Sequence, residues 1–189
     1  MGGIITTAGG KRGLVSKASP NRSKKSFHYT GRAFDMALPT GMQNPDKDPY
    51  VIVRNGDSRM WTVWCRSSLP QAELEILCQR HGIQGGMVPL AGTYLQGKNI
   101  RSKVVTGLFF DLTALAAIYG FQPIPARRSF FSSGSYGASE WWHFQWTDGM
   151  EKGVTTFGSE LLKVYTLAEA QKFIYWNEAK NCRWGVNWG

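Results

Sequence analysis

The chain is short of the residues from which covalent or metal scaffolds are usually built. Its three cysteines, Cys65, Cys78 and Cys182, form no CxxC pair. An odd set so spaced argues against both a disulfide framework and a cysteine-built zinc site. No apolar run approaches the roughly 18 residues that a membrane-spanning helix needs. The opening Met1-Gly2-Gly3-Ile4-Ile5 has no basic segment followed by an apolar one, so no secretory signal is expected. The protein would then stay in the cytosol of its maker, leave by another route, or be a piece of a longer chain. Acids are scarce: 13 Asp and Glu stand against 22 Lys and Arg, and none precedes Asp35. The resulting charge of +9 suits anionic partners such as nucleic acid, acidic lipid or an anionic cell-wall polymer, and equally suits plain solubility. Seven Lys and Arg precede the first acid, but no recognised nucleic-acid motif accompanies them, so nucleic acid is not the expected partner.

What is present is enough for one domain. Hydrophobic residues make up 42% of 189, which supplies a real core. Residues 1–25 read as a basic, partly mobile segment, with a short strand at Ile4–Thr7 and Arg12 in a glycine-rich loop. From Ala33 to Leu38 the pattern alternates, with Phe34, Met36 and Leu38 on the core face and Asp35 between two alanines on the other. Tyr50–Arg54 and Met60–Cys65, separated by Asn55-Gly56, predict a hairpin. Ser68 is placed to cap a helix over 69–80, stopped at Gly82 with His81 beside its C-terminus.

Residues 83–103 are glycine-rich and read as irregular. Gly92 to Asn99 falls short of a phosphate-binding loop because Asn99 stands where a magnesium-binding Ser or Thr is required. A buried helix is expected over 107–119, a loop over 121–139, a strand over 140–147, and a helix opened by the Thr166/Glu169 capping box and running to about 180. Trp184 and Trp188 are expected to pack against the body. Strands and helices mix without βαβ regularity, so the fold class is α+β, a small antiparallel sheet packed by helices.

Two stretches carry chemistry. In Ser26-Phe27-His28-Tyr29-Thr30-Gly31-Arg32-Ala33-Phe34-Asp35, an imidazole and a carboxylate lie seven residues apart. On one straight strand they would face opposite ways, so a turn at Gly31 is needed to bring them together. In Glu140-Trp141-Trp142-His143, a second imidazole follows an acid. Two histidines and one aspartate suit zinc and leave a coordination position open, and a nearby carboxylate that does not ligate suits a general base. Glu140 can play that part only from a loop or bulge ahead of the strand, because a regular strand would aim it away from His143's side.

The first stretch resembles the SxHxxGxAxD signature of the M15 zinc peptidases, and the second resembles their ExxH motif in its EWWH form. The resemblance implies a hedgehog/D-Ala-D-Ala-peptidase fold, zinc on His28, Asp35 and His143, and Glu140 as base. It implies peptide bonds of bacterial peptidoglycan as substrate, cleaved as a carboxypeptidase or dipeptidase or as a lytic endopeptidase or delivered toxin. It also suggests Arg12, in Gly9-Gly10-Lys11-Arg12, as the grip on a substrate carboxylate or oxyanion, and Ser26 as a substrate contact. A non-catalytic, zinc-stabilised binding module of the same fold is the alternative.

Overall fold

The protein is described by a computed structural model covering residues 9–18 and 23–188; the strand expected at Ile4–Thr7 lies outside the described residues. The chain is α+β with antiparallel pairing, and it forms two compact units. Of the described residues, one comprises 35–144; the other comprises 9–18, 23–34 and 145–188.

The first unit is built on a barrel. Ala33–Asp35 (β1) precedes it. The β-branched and aromatic stretches Tyr50–Arg54 (β2) and Trp61–Arg66 (β3) pair antiparallel, with Arg54 opposite Trp61, across the Asn55-Gly56 turn expected there. The stretch expected to be irregular is instead the longest hairpin, Gly85–Gln96 (β4) against Asn99–Asp111 (β5), paired from Gly85↔Phe110 to Gln96↔Asn99. Its glycines hid the strand pattern, yet they are there for close packing. A Cβ on Gly85 would lie 2.2 Å from Cys78 Sγ, and one on Gly92 would lie 2.9 Å from Val51. The near phosphate-binding loop is thus strand and hairpin tip, with Gly97 at φ +64 in the turn. Strand order β2-β3-β5-β4 closes through Val53↔Gly92 around Val51, Trp64, Leu90, Val105 and Phe109.

Gln71–His81 (α1) starts later than expected. Pro70, not Ser68, takes the cap position without a side-chain cap, and Gly82 ends the helix in the left-handed region. Leu112–Ile118 (α2) is shorter than the expected helix because 107–111 continue β5. Asp111 caps it through Ala114 N–H, and burial pushes that carboxyl above its ordinary range. Only Ala116 of α2 is buried, so the helix is not the enclosed element its apolar composition suggested. The expected loop at 121–139 contains Phe121–Pro123 (β6), Arg128–Ser133 (α3) and a 3-10 turn at Tyr136–Ala138.

Gly134 ends α3 at φ +59, and a Cβ there would lie 1.8 Å from Lys98 O. Both the backbone conformation and the contact refuse a side chain. Gly134→Ala is therefore expected to lose about 2–3 kcal/mol in urea unfolding; a loss under about 0.5 kcal/mol would show that the contact relaxes freely.

The second unit is an aromatic cluster. Phe27, Tyr29, Phe157, Phe173, Tyr175, Trp176 and Trp188 form its core, and Phe27 stacks on Trp188 at 4.8 Å. Trp184 packs on the same core, as expected of the tail. Thr156 caps Phe157–Leu161 (α4), and the Thr166/Glu169 capping box opens Leu167–Gln171 (α5). Hydrogen bonds from Thr166 hold Glu169 below the usual carboxylate range. The single helix expected to reach 180 is broken, and Trp176–Ala179 (α6) is separate. The reason is tertiary: Ile174 N–H goes to Val15 O instead of continuing the helical ladder. Residues 9–15 of the basic segment are correspondingly tied down, with Leu14 and Val15 against the core and Arg12 N–H on His28 O at 3.0 Å.

His143–Trp146 (β7) completes a sheet of order β1-β7-β6. The boundary between the units falls within β1 and within β7.

Candidate metal centre and its neighbouring acid

His28 sits on a turn that its own sequence dictates. Tyr29 N–H bonds Ser26 O at 3.0 Å, Arg32 N–H bonds Phe27 O at 3.0 Å, and Thr30 Oγ1 donates to Phe27 O at 2.8 Å. Gly31 supplies φ +70, the conformation that reverses the chain between His28 and Asp35. Phe27 and Tyr29, both buried, anchor the turn on either side of the imidazole. His28 itself is 1% exposed. Its Nδ1 lies 2.8 Å from Gly10 O. A carbonyl oxygen only accepts, so Nδ1 carries the proton and the neutral ring holds its lone pair on Nε2, the form that ligates a metal.

Asp35 ends β1 and His143 opens β7, with Met36 N–H on Trp142 O at 2.8 Å locking the register between them. His143 Nδ1 and Asp35 Oδ1 are 2.8 Å apart. The alternation expected over 33–38 stops at Asp35: Pro39 draws the chain into a 3-10 turn at Leu38–Thr40, leaving Leu38 exposed and Phe34 half-buried.

His28, Asp35 and His143 each offer a ligand atom, and these atoms lie within 4.8 Å of one another. Ligands at about 2.1 Å from a tetrahedral ion stand about 3.4 Å apart, so modest tightening would enclose one. Two neutral imidazoles and a single carboxylate, largely buried, are a donor set that fits a divalent ion of the zinc type and leaves one position open.

Glu140 lies ahead of the strand, as its spacing from His143 required. β7 begins only at His143, and His143 N–H closes a turn onto Glu140 O at 3.1 Å. Glu140 adopts φ +55, a conformation few side chains tolerate, and it is buried. Its surroundings hold it there. Trp61 Nε1 donates to Ser139 O at 2.6 Å, and Trp141 Nε1 donates to Tyr136 OH at 3.2 Å. Tyr136 stacks on Trp142 with centroids 5.5 Å apart and donates to Leu38 O and Gly41 O. Burial pushes the Tyr136 hydroxyl above its ordinary range, which keeps it a neutral donor. Arg127 Nε donates to Glu140 Oε1 at 2.6 Å. Nothing in the sequence singles out Arg127; it stands thirteen residues from its partner in a stretch that reads as loop.

The remaining expected residues fall as follows. Ser26 Oγ accepts the His28 amide at 3.3 Å, so its hydroxyl braces the turn. Arg12 is exposed, with its N–H on His28 O and its own carbonyl accepting from Tyr165 OH at 3.1 Å. Gly10 and Arg12 therefore flank His28 through the backbone, a link that residue type alone does not signal. His81 lies in the last turn of α1, as expected of a helix-end histidine. Among the described residues, no disulfide joins Cys65, Cys78 and Cys182. Among the described residues, no helix is long and apolar enough to cross a membrane. The chain matches no protein-family model, no curated protein and no solved structure.

Proposed function

We propose that this chain is a zinc-dependent peptidase of the M15 type, with the hedgehog/D-Ala-D-Ala-peptidase fold, that hydrolyses peptide bonds of bacterial peptidoglycan. The observation that carries the reading is the convergence of His28, Asp35 and His143 from two distant stretches, with Glu140 in the turn that leads into His143.

Zinc bound by His28, Asp35 and His143 supplies a Lewis acid for the scissile carbonyl and makes a water molecule acidic near neutral pH. Glu140 takes the proton of the attacking water and returns it to the departing amine nitrogen, which leaves as the free amine. Gly10 fixes the His28 tautomer, and the turn over 26–32 fixes the ring's direction. Arg12, next to His28 through its backbone, is the residue proposed to meet a substrate carboxylate or the developing oxyanion, and Ser26 acts by bracing His28. The second unit carries 12 of the 22 Lys and Arg but 5 of the 13 Asp and Glu, which suits retention on an anionic wall polymer.

The binding half is tested by metal analysis and thermal unfolding. One zinc per chain is expected. Free zinc at a hundred times its Kd should add about 2.7 kcal/mol of stability, and His143→Ala should lose both effects. The catalytic half is tested by incubating purified sacculi and free D-Ala-D-Ala with the protein, with and without a chelator. A product from either that disappears with the chelator is the expected result, and no chelator-sensitive product from both would overturn the peptidase reading.

A further inference from the structure

The proposed reaction leaves Arg127 without a task, yet its placement is specific. Nε and Nη2 both reach the same oxygen, Glu140 Oε1, each at 2.6 Å. Among the described residues, no hydrogen bond goes to Oε2. The Glu140 side chain is 11% exposed and that of Arg127 69%. The backbone beneath both ends is fixed. Arg127 N–H donates to Ala138 O at 2.8 Å, Ala126 N–H donates to Arg59 O at 2.8 Å, and Arg59 Nη1 returns to Ala126 O at 2.9 Å.

A carboxylate held by one oxygen cannot turn about its last torsion, so its other oxygen points in one direction. A base that must first take and then return a proton gains most from that restriction, because misorientation slows both transfers. The ion pair would also steady the left-handed backbone at Glu140, which relaxes if the side chain is released.

We infer that Arg127 is a positioning residue that clamps Oε1 of Glu140 so that Oε2 is the oxygen presented for proton transfer. This rests on the peptidase reading for its effect on rate, but the clamp itself is measurable without it. In Arg127→Ala, zinc content should match the wild type, kcat should fall about 10–100-fold, and KM should move less than about 3-fold. Arg127→Lys keeps the charge without the fork and should fall between the two. In the metal-free proteins, amide hydrogen exchange at 139–142 should be about tenfold faster in Arg127→Ala, with exchange in the barrel strands unchanged.

Unchanged kcat together with unchanged exchange overturns the inference. A raised KM with kcat preserved also overturns it, since Arg127 would then be a substrate contact. A wild-type chain that hydrolyses nothing defeats the peptidase reading, and the exchange measurement still decides the clamp. If Arg127→Ala fails to fold, Arg127→Gln and Arg127→Lys carry the same comparison.

Discussion

Glu140→Gln should lose two to four orders of magnitude in kcat on cell-wall peptide while retaining one zinc per chain. That range is the usual contribution of a positioned acid–base group. The amide has nearly the shape of the acid, so the turn onto His143 and the indole contacts of Ser139 and Trp141 should survive. The amide cannot take a proton at neutral pH, so the step from water to leaving amine has no carrier. Zinc content separates this from loss of the centre: Glu140→Gln keeps the ion, whereas His143→Ala loses it along with turnover. A Glu140→Gln protein with wild-type kcat would remove Glu140 from the reaction and leave the proton transfer to another group; a wild-type chain that binds zinc and turns nothing over would instead be the zinc-stabilised binding module.

The largest stability effect is expected in the second unit, at Arg32→Met. Arg32 Nε meets Glu160 Oε2 at 2.6 Å with the two side chains 9% and 2% exposed. Arg32 Nη1 also donates to Asp148 O at 3.0 Å and Trp146 O at 3.3 Å, and the guanidinium lies over the Trp146 ring at 4.5 Å. Removing the cation strands a buried carboxylate that keeps, among the described residues, only Lys163, itself 57% exposed, as an ionic partner. Breaking such a pair costs about 3–5 kcal/mol, or very roughly 10 °C in Tm for a chain of this size. The double variant Arg32→Met/Glu160→Leu should recover most of the loss, because no charge is then left buried. An Arg32→Met chain that unfolds within about 1 kcal/mol of the wild type would show that water reaches Glu160. The pair bears on the centre because Arg32 follows Gly31 in the turn that presents His28, and its carbonyl accepts Trp146 N–H at 2.8 Å.

Much of the centre is legible in the sequence because the relevant residue types are rare. With three histidines available, an imidazole beside a glycine turn and an imidazole after a double tryptophan leave few ways to build a site. The Gly31 reversal and the pre-strand position of Glu140 both follow from strand parity, and both are seen. What escapes the sequence depends on contacts between distant residues. Gly85 and Gly92 lower the apparent strand propensity of a long hairpin, and only the nearness of Cys78 and Val51 explains them. The break after Gln171 is set by Val15 O, far away in sequence. Arg127 carries no motif, and its bond to Glu140 exists because α3 and the 3-10 turn fold the intervening residues back.

The left-handed backbone of Glu140 has an evolutionary consequence. A non-glycine residue in that region gives up about 1–2 kcal/mol, which glycine would recover. Drift toward a sturdier chain would therefore favour replacing this glutamate, and only selection for what its carboxylate does can keep it in place. The residue on which turnover is proposed to depend is thus one the fold would be more comfortable without.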